Sequence, residues 1–300
     1  HGQPARVDYL AAGVLADRFA VAKGDRVAIA MRNFPEWIVA FWAATAIGAI
    51  AVPLNAWWTG EELAYGLGHS GARVLIADRD RLDRLASHRD GLALDHIVLA
   101  RSGGEVPAGV LDLDELIAGA AAAAALPDVI ITPEDTATIF YTSGTTGRPK
   151  GAIGTHRNIC SNPISVAFIR ARADLRQGLA PTQDSAGAPK RVALLTVPLF
   201  HVTGCHSALV SSTIAGDALV MMHRWDAEKA LELIETEKVT SVAGVPAMAW
   251  QILESPDLGR RDLSSIKTFG YGGAPAAPEL VRRLRSVFPD IAPRNGYGLT

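Results

Sequence analysis

Cysteine is nearly missing from this chain. Two residues, Cys160 and Cys205, in 300 positions cannot build a disulfide framework, a four-cysteine zinc site or an iron–sulfur cluster. A reducing compartment is the simpler reading, so a cytoplasmic protein is expected. Net charge is nearly missing too: 29 Lys and Arg stand against 31 Asp and Glu, giving −2. Residues 1–150 hold 13 cations and 18 acids, and residues 151–300 hold 16 and 13. Neither half has the basic excess of a nucleic-acid binder, and no nucleic-acid partner is expected. Long unbroken apolar runs are also lacking. Residues 37–60 and 192–216 contain no Asp, Glu, Lys or Arg, but Gly48, Pro53 and Asn55 break the first, and Pro198, Gly204 and two histidines break the second. Neither makes a comfortable membrane span. The first reads as a buried helix and then a core strand, the second as a strand, a loop and a buried helix. The opening His1-Gly2-Gln3-Pro4 is not a basic-then-apolar leader. The missing initiator methionine reads as the mark of a fragment.

What is present is an apolar share of 49% with 20% charged residues, the balance of a globular protein with a sizeable core. Strand-length apolar runs fall at 26–31, 50–53, 74–77, 96–99, 137–142, 192–196, 218–222, 240–243 and 266–269, with helical patterns between them at 35–47, 61–70, 79–88, 227–237 and 278–287. Thr59 and Glu62 have capping-box spacing, and Asp112 with Glu115 is a looser version. This alternation predicts an α/β fold with mostly parallel sheets, divided into two similar α/β subdomains at about 1–190 and 191–300. Residues 118–125 are almost pure alanine and glycine, a soft helix or a spacer. Residues 172–190 read as a surface loop.

The residues richest in chemistry are Tyr141-Thr142-Ser143-Gly144-Thr145-Thr146-Gly147-Arg148-Pro149-Lys150-Gly151. They follow a predicted strand. Glycines let backbone N–H groups converge on an anion. Hydroxyls add neutral donors, and Lys150 adds a charge. The set suits a polyphosphate. It is not a Walker A loop, because Lys150 lies between Pro149 and Gly151. Nor is there a dinucleotide fingerprint at Gly270-Tyr271-Gly272, where Pro275 stands in place of the third glycine. On composition alone a mobile surface turn explains the loop equally well. His201 and His206 are five residues apart rather than four, with no clear acidic partner nearby, so no metal site is expected.

The order of the loop closely resembles the phosphate loop of the adenylate-forming superfamily, which comprises acyl- and aryl-CoA synthetases, peptide-synthetase adenylation domains and luciferases. The resemblance continues in Lys23-Gly24-Asp25-Arg26-Val27, Asn33-Phe34-Pro35-Glu36-Trp37, Pro198-Leu199-Phe200-His201, Gly244-Val245-Pro246, Gly272-Gly273-Ala274-Pro275 and Asn295-Gly296-Tyr297-Gly298-Leu299-Thr300, in the family's order. It implies a truncated large AMP-binding domain spanning 1–300, without the small carboxy-terminal domain. It further implies ATP, Mg²⁺ and coenzyme A as co-substrates and cofactor. The implied reaction converts a carboxylic acid to an acyl-adenylate and then a thioester, releasing AMP and pyrophosphate.

By the same resemblance Thr142, Ser143, Gly144, Thr145, Thr146, Gly147 and Lys150 hold phosphates. Gly272, Gly273, Ala274, Asn295, Gly296, Tyr297 and Gly298 surround the adenine, and Thr300 contacts the α-phosphate. His201, Lys150 and Thr300 are the catalytic candidates, and His201, Val245, Met248 and Gly273 line the acid pocket. Taken alone, His201 beside Phe200 is an ordinary packed histidine, Val245 and Met248 are ordinary core, and Tyr271 to Pro275 is a strand-to-helix turn. The family glutamate that helps hold Mg²⁺ would follow Thr300. The Pro-Leu-Phe-His segment favours a CoA ligase acting on a fatty or similar apolar acid, with peripheral membrane contact compatible with such a substrate. An aryl-CoA ligase or other adenylation enzyme is the alternative, and a non-catalytic nucleotide-binding fragment is the alternative of another class.

Overall fold

The computed structural model describes residues 10–120, 126–142, 147–176, 178, 191–291, 293–298 and 300. The chain forms two compact units, one within residues 1–159 and one within 160–299. The division falls earlier than residue 190 because a helix begins at His156 and carries the chain into the second unit.

The first unit is built on seven strands: β1 (Arg26–Ala30), β2 (Ile50–Pro53), β3 (Val74–Ala77), β4 (His96–Leu99), β5 (Leu111–Asp112), β6 (Thr136–Thr142) and β7 (Lys150–Thr155). Their order is β5-β4-β3-β1-β2-β6-β7. Every pairing is parallel except β6 with β7. Val27, Ala28 and Ile29 of β1 and all four residues of β3 are buried. That is the pattern of strands covered on both faces, which read as continuous apolar runs rather than alternating ones. The covering helices include α1 (Pro35–Ala46), α2 (Gly60–Ser70), α3 (Arg79–Leu85) and α4 (Leu113–Ala118). On one face Leu54, Trp58, Leu63, Leu67, Leu85 and Tyr141 pack into a single cluster.

The start of α2 carries the expected capping box: Thr59 Oγ1 accepts from Glu62 N, and Glu62 Oε2 accepts from Thr59 N. Gly71, at φ +64°, closes the helix in the left-handed region. Asp112 caps α4 by accepting from Glu115 N at 2.8 Å. The buried pair of this unit is Asp78 with Arg81, 3.0 Å apart, with side-chain exposures of 8% and 3%. Burial pushes the Asp78 carboxyl above its ordinary range, against hydrogen bonds from the amides of Arg32 and Arg81 that pull it down. Arg81 also donates to the Ala56 carbonyl, so this pair ties the turn after β2 to the turn after β3.

In the second unit, β8 (Val192–Leu195), β9 (Ala218–Met221), β10 (Ser241–Gly244), β11 (Thr268–Gly272) and β12 (Arg294–Gly296) form an all-parallel sheet in the order β12-β11-β10-β8-β9. Its helices include α5 (His156–Arg176), α6 (Ser211–Ala215), α7 (Ala227–Thr236), α8 (Pro246–Glu254) and α9 (Pro278–Val287). A π-helical stretch, Thr203–Val210, runs into α6. Leu231, Ile234, Val242, Ile252, Phe269, Leu280 and Leu284 form its core. Proline stands at the start of α1, α8 and α9, where a missing N–H costs nothing and the fixed φ suits a helix.

Three expectations are corrected. Residues 172–176 are helical, not loop, and Ala171, Arg172, Leu175 and Arg176 are good helix formers. Lys150 opens a strand rather than ending a loop. Strand β11 starts at Thr268, since Ile266 N is taken by a turn bond to the Leu263 carbonyl. Residues 121–125 of the alanine tract and most of 177–190 lie outside the described residues. Among the described residues no helix is long and apolar enough to cross a membrane.

Removing the Asp78 carboxylate leaves the buried Arg81 guanidinium with the half-exposed Asp80, 2.9 Å away, as its remaining carboxylate, and takes the acceptor from the Arg32 and Arg81 amides. Asp78→Ala is therefore expected to lower unfolding free energy by about 3–5 kcal/mol in urea melts. Asp80→Ala, which removes a carboxylate with 55% side-chain exposure, is expected to cost less than about 1 kcal/mol.

Candidate functional site

In a parallel sheet all strands end at the same edge, and the turns that leave that edge share one crevice. The candidate residues of the second unit gather there. Strand β8 leads to Thr196 and the Pro198-to-His201 turn, β10 to Gly244 and Val245, β11 to Gly272 and Gly273, and β12 to Asn295 and Gly296. The register places Gly244 beside Tyr271, Tyr271 beside Asn295, and Gly272 beside Gly296. The chain goes from β8 outward to β9 and then back across to β10, so its direction reverses between β8 and β10. This is the switch point at which open α/β sheets bind ligands.

Side chains close around that point. Thr196 Oγ1 donates to the Ala243 carbonyl. A Cβ placed on Gly244 would lie 3.0 Å from both Met248 Sδ and Thr196 Oγ1. Pro246 begins α8, so Met248 sits in the first turn of that helix, where side chains lean back toward the strand end. A Cβ on Gly273 would lie 3.5 Å from Val245 Cγ1, and Gly273 itself sits at φ +78°. Val245, Met248 and Gly273, predicted together as a pocket, are thus brought together. Thr196 joins them without having been predicted. Its only signal in the sequence was its place at the end of an apolar strand.

Glycine is required at position 272 for a different reason. A Cβ there would fall 2.6 Å from the Gly296 carbonyl oxygen. The two backbones approach too closely for any side chain, which leaves a flat, backbone-lined edge. Asn295, Gly296 and Tyr297 beyond it are exposed, Tyr297 at 90%. Ala274, Gly298 and Thr300 are exposed as well.

The turn that carries His201 is held from below. His201 N donates to the Pro198 carbonyl at 3.2 Å, and Cys205 N donates to the His201 carbonyl at 2.9 Å. A Cβ on Gly204 would run into the same Pro198 carbonyl, so the π-helical stretch packs directly on the turn. The His201 ring is tilted against Phe200, with centroids 4.8 Å apart. The protein atoms around this surface ring hold its pKa below that of a free imidazole. Burial pushes His206 down further, to about 4. Both are neutral at pH 7.

In the first unit the motif residues form a hairpin. Thr142 of β6 faces Lys150 of β7, and Thr142 Oγ1 donates to the Lys150 carbonyl at 3.4 Å. The described strands flank the motif: β6 ends at Thr142 and β7 begins at Lys150. Gly147 has φ +128°, and Lys150 is exposed. The predicted phosphate ligands Ser143, Gly144, Thr145 and Thr146 lie outside the described residues. Tyr141 is buried under the hairpin. Its hydroxyl donates to the Gly66 carbonyl at 3.2 Å and lies 2.9 Å from His69 Nδ1. Tyr65 donates its hydroxyl to the Pro149 carbonyl at 3.0 Å. Neither Tyr65 nor His69 was predicted, since nothing in their local sequence links α2 to a loop eighty residues away.

Known proteins resemble this chain over nearly all of its length. Residues 4–300 match the family model described as AMP-binding enzyme. A 4-coumarate–CoA ligase 2 of Oryza sativa subsp. japonica is 31% identical over 292 residues, covering 94% of this chain and 49% of that protein. A feruloyl-CoA synthase of Amycolatopsis sp is 34% identical over 295 residues, covering 98% of this chain and 52% of that protein. The chain thus spans about half the length of the curated relatives it matches. The inhibitor-bound N-terminal domain of FACL13 from Mycobacterium tuberculosis superposes with a TM-score of 0.80 at 30% identity, over 99% of this chain and 68% of that one.

Two predictions follow from this geometry. Gly272→Ala must push β12 away from β11, with an expected cost of about 1–3 kcal/mol and faster amide exchange at Asn295 and Gly296. For His206, the unfolded chain binds a proton below the ordinary imidazole value of 6.5 while the folded chain resists protonation down to about 4. The stability this group contributes is complete above pH 6.5 and is lost as pH falls toward 4. Urea melts between pH 7 and 4 are expected to show this slope, and His206→Gln to reduce it.

Proposed function

The chain belongs to the AMP-binding enzyme family, and on that premise we propose that it supplies the nucleotide- and acid-binding part of an ATP-dependent CoA ligase. The observation that carries this reading is the hairpin of β6 and β7. It pairs Thr142 with an exposed Lys150 across the two strands that flank the glycine- and hydroxyl-rich sequence 143–147. A sequence of that composition offers backbone N–H groups, hydroxyls and one cation to a polyphosphate.

In the proposed reaction the carboxylate oxygen attacks the α-phosphorus of ATP. The bond to the bridging oxygen breaks and pyrophosphate leaves. The mixed anhydride that forms has a far better leaving group than a carboxylate. A CoA thiol then attacks the acyl carbon, loses its proton, and AMP departs. Thr142, Lys150 and residues 143–147 hold the departing pyrophosphate, and Thr300 contacts the α-phosphate. The work asked of these groups is positioning and charge stabilisation. Gly272 and Gly273 let backbone lie against the flat adenine, with Asn295 and Tyr297 beside it. His201 is neutral at pH 7. It therefore orients the acid by hydrogen bonding rather than as a cation. Magnesium, which the resemblance implies, finds no group of three His, Cys, Asp or Glu side chains among the described residues. Such a hard cation is held largely by phosphates and water, and no step is assigned to it.

The acid is apolar in this reading, matched to Val245 and Met248 beside the switch point. The sequence favours a fatty acid. The two curated relatives, a 4-coumarate–CoA ligase and a feruloyl-CoA synthase, favour the aromatic alternative. Thioester formation in the intact protein, measured across saturated fatty acids and hydroxycinnamates, decides between them. Lys150→Ala is expected to lower ATP–pyrophosphate exchange by about 10²–10³-fold without moving the melting temperature, because Lys150 is exposed. Unchanged exchange in that variant would overturn the assignment.

A further inference from the structure

Tyr141, near the end of β6, and Pro149, just before β7, are both bonded to one helix, α2: Tyr141 to the Gly66 carbonyl and His69, Pro149 to Tyr65. The three anchoring positions 65, 66 and 69 fall within about one turn of helix. The Arg148 guanidinium lies 5.3 Å from the centroid of the Tyr65 ring, and the Tyr65 and His69 rings stack at 5.3 Å. The helix is itself fixed at both ends, by the Thr59–Glu62 capping box and by Gly71.

The Tyr141 hydroxyl lies 3.2 Å from the Gly66 carbonyl oxygen and 2.9 Å from His69 Nδ1, so one phenol joins two positions of the helix. Burial pushes the Tyr141 phenol up to about 12, so it remains a donor at working pH. A Cβ on Gly66 would meet Trp58 at 2.7 Å, which keeps this turn of the helix against the core beneath Tyr141.

We infer that Tyr65 and His69 are positioning residues: through Pro149 and Tyr141 they set the place at which Lys150 meets the nucleotide phosphates. This rests on the proposed assignment of Lys150 to phosphate binding. Lys150 directly follows Pro149 in the chain, so the bond that fixes the Pro149 carbonyl also fixes the start of the lysine backbone.

The test uses the full chain and two readouts. Tyr65→Phe deletes the hydroxyl and keeps the ring beneath Arg148. Amide exchange is expected to quicken several-fold in peptides covering 142–151 and to stay unchanged in β1 and β3. ATP affinity by calorimetry is expected to fall about tenfold, the effect of one hydrogen bond. His69→Ala is expected to act in the same direction, with His69→Gln, which restores a hydrogen-bonding group, recovering most of the loss. Unchanged exchange in 142–151, or exchange quickened throughout the unit with a lowered melting temperature, overturns the inference. If the unmutated chain binds no ATP, the phosphate assignment fails, while the exchange comparison still decides the tether.

Discussion

Parallel strand pairing is the constraint on which the rest depends. Parallel neighbours cannot be joined by a tight turn, so each connection must climb over a face of the sheet, usually as a helix. Every strand of the second unit therefore ends at the same edge, and the residues at or just past the ends of β8, β10, β11 and β12 line up although the chain places them up to a hundred positions apart. Thr196, Gly244, Val245, Gly272 and Asn295 lie along one edge of the sheet for that reason. Hydrophobic burial selects the arrangement, because strands such as VLIA at 74–77 and helices such as α1 must be covered on both sides. The site follows as a consequence of the cover.

The two units build their functional edges by different means. The second relies on close packing of backbone: Gly272 against the Gly296 carbonyl, Gly204 against Pro198, and Gly244 between Thr196 and Met248. There a side chain would be an obstruction, and rigidity comes from contact. The first relies on hydrogen bonds to a long hairpin, with Tyr141 and Tyr65 reaching to and from α2. The antiparallel β7, alone among parallel partners in that sheet, is what turns the strand end into such a hairpin.

Legibility in the sequence followed the same physics. Strands buried on both faces announce themselves as apolar runs, and β2, β3 and β4 begin and end where those runs do. The capping box at Thr59 was visible because it is local. Strand β7 was not, since Lys-Gly-Ala-Ile-Gly-Thr has two glycines and its burial pattern shows little apolar alternation. The motif glycines could be named from order, but the separate reasons for Gly272 and Gly273, a close carbonyl in one case and a positive φ in the other, required coordinates. Tyr65 and His69 lay beyond any local reading. Their partners are 84 and 72 residues away, and no periodicity encodes a contact at that distance.

The same reasoning separates reaction from substrate. The groups assigned to the nucleotide are mostly backbone and glycine, held by sheet register, and register is insensitive to a change in one side chain. Val245 and Met248 are side chains, placed by the start of α8, and can be exchanged without moving a strand. Met is the more adaptable of the two, unbranched and able to fit differently shaped neighbours. A frame of this kind keeps its chemistry while its acid changes. A family match over residues 4–300 therefore bears on the proposed reaction much more strongly than on its acid, and in that proposal the choice between a hydrocarbon chain and an aromatic ring falls to the few side chains around Gly244 and Gly273.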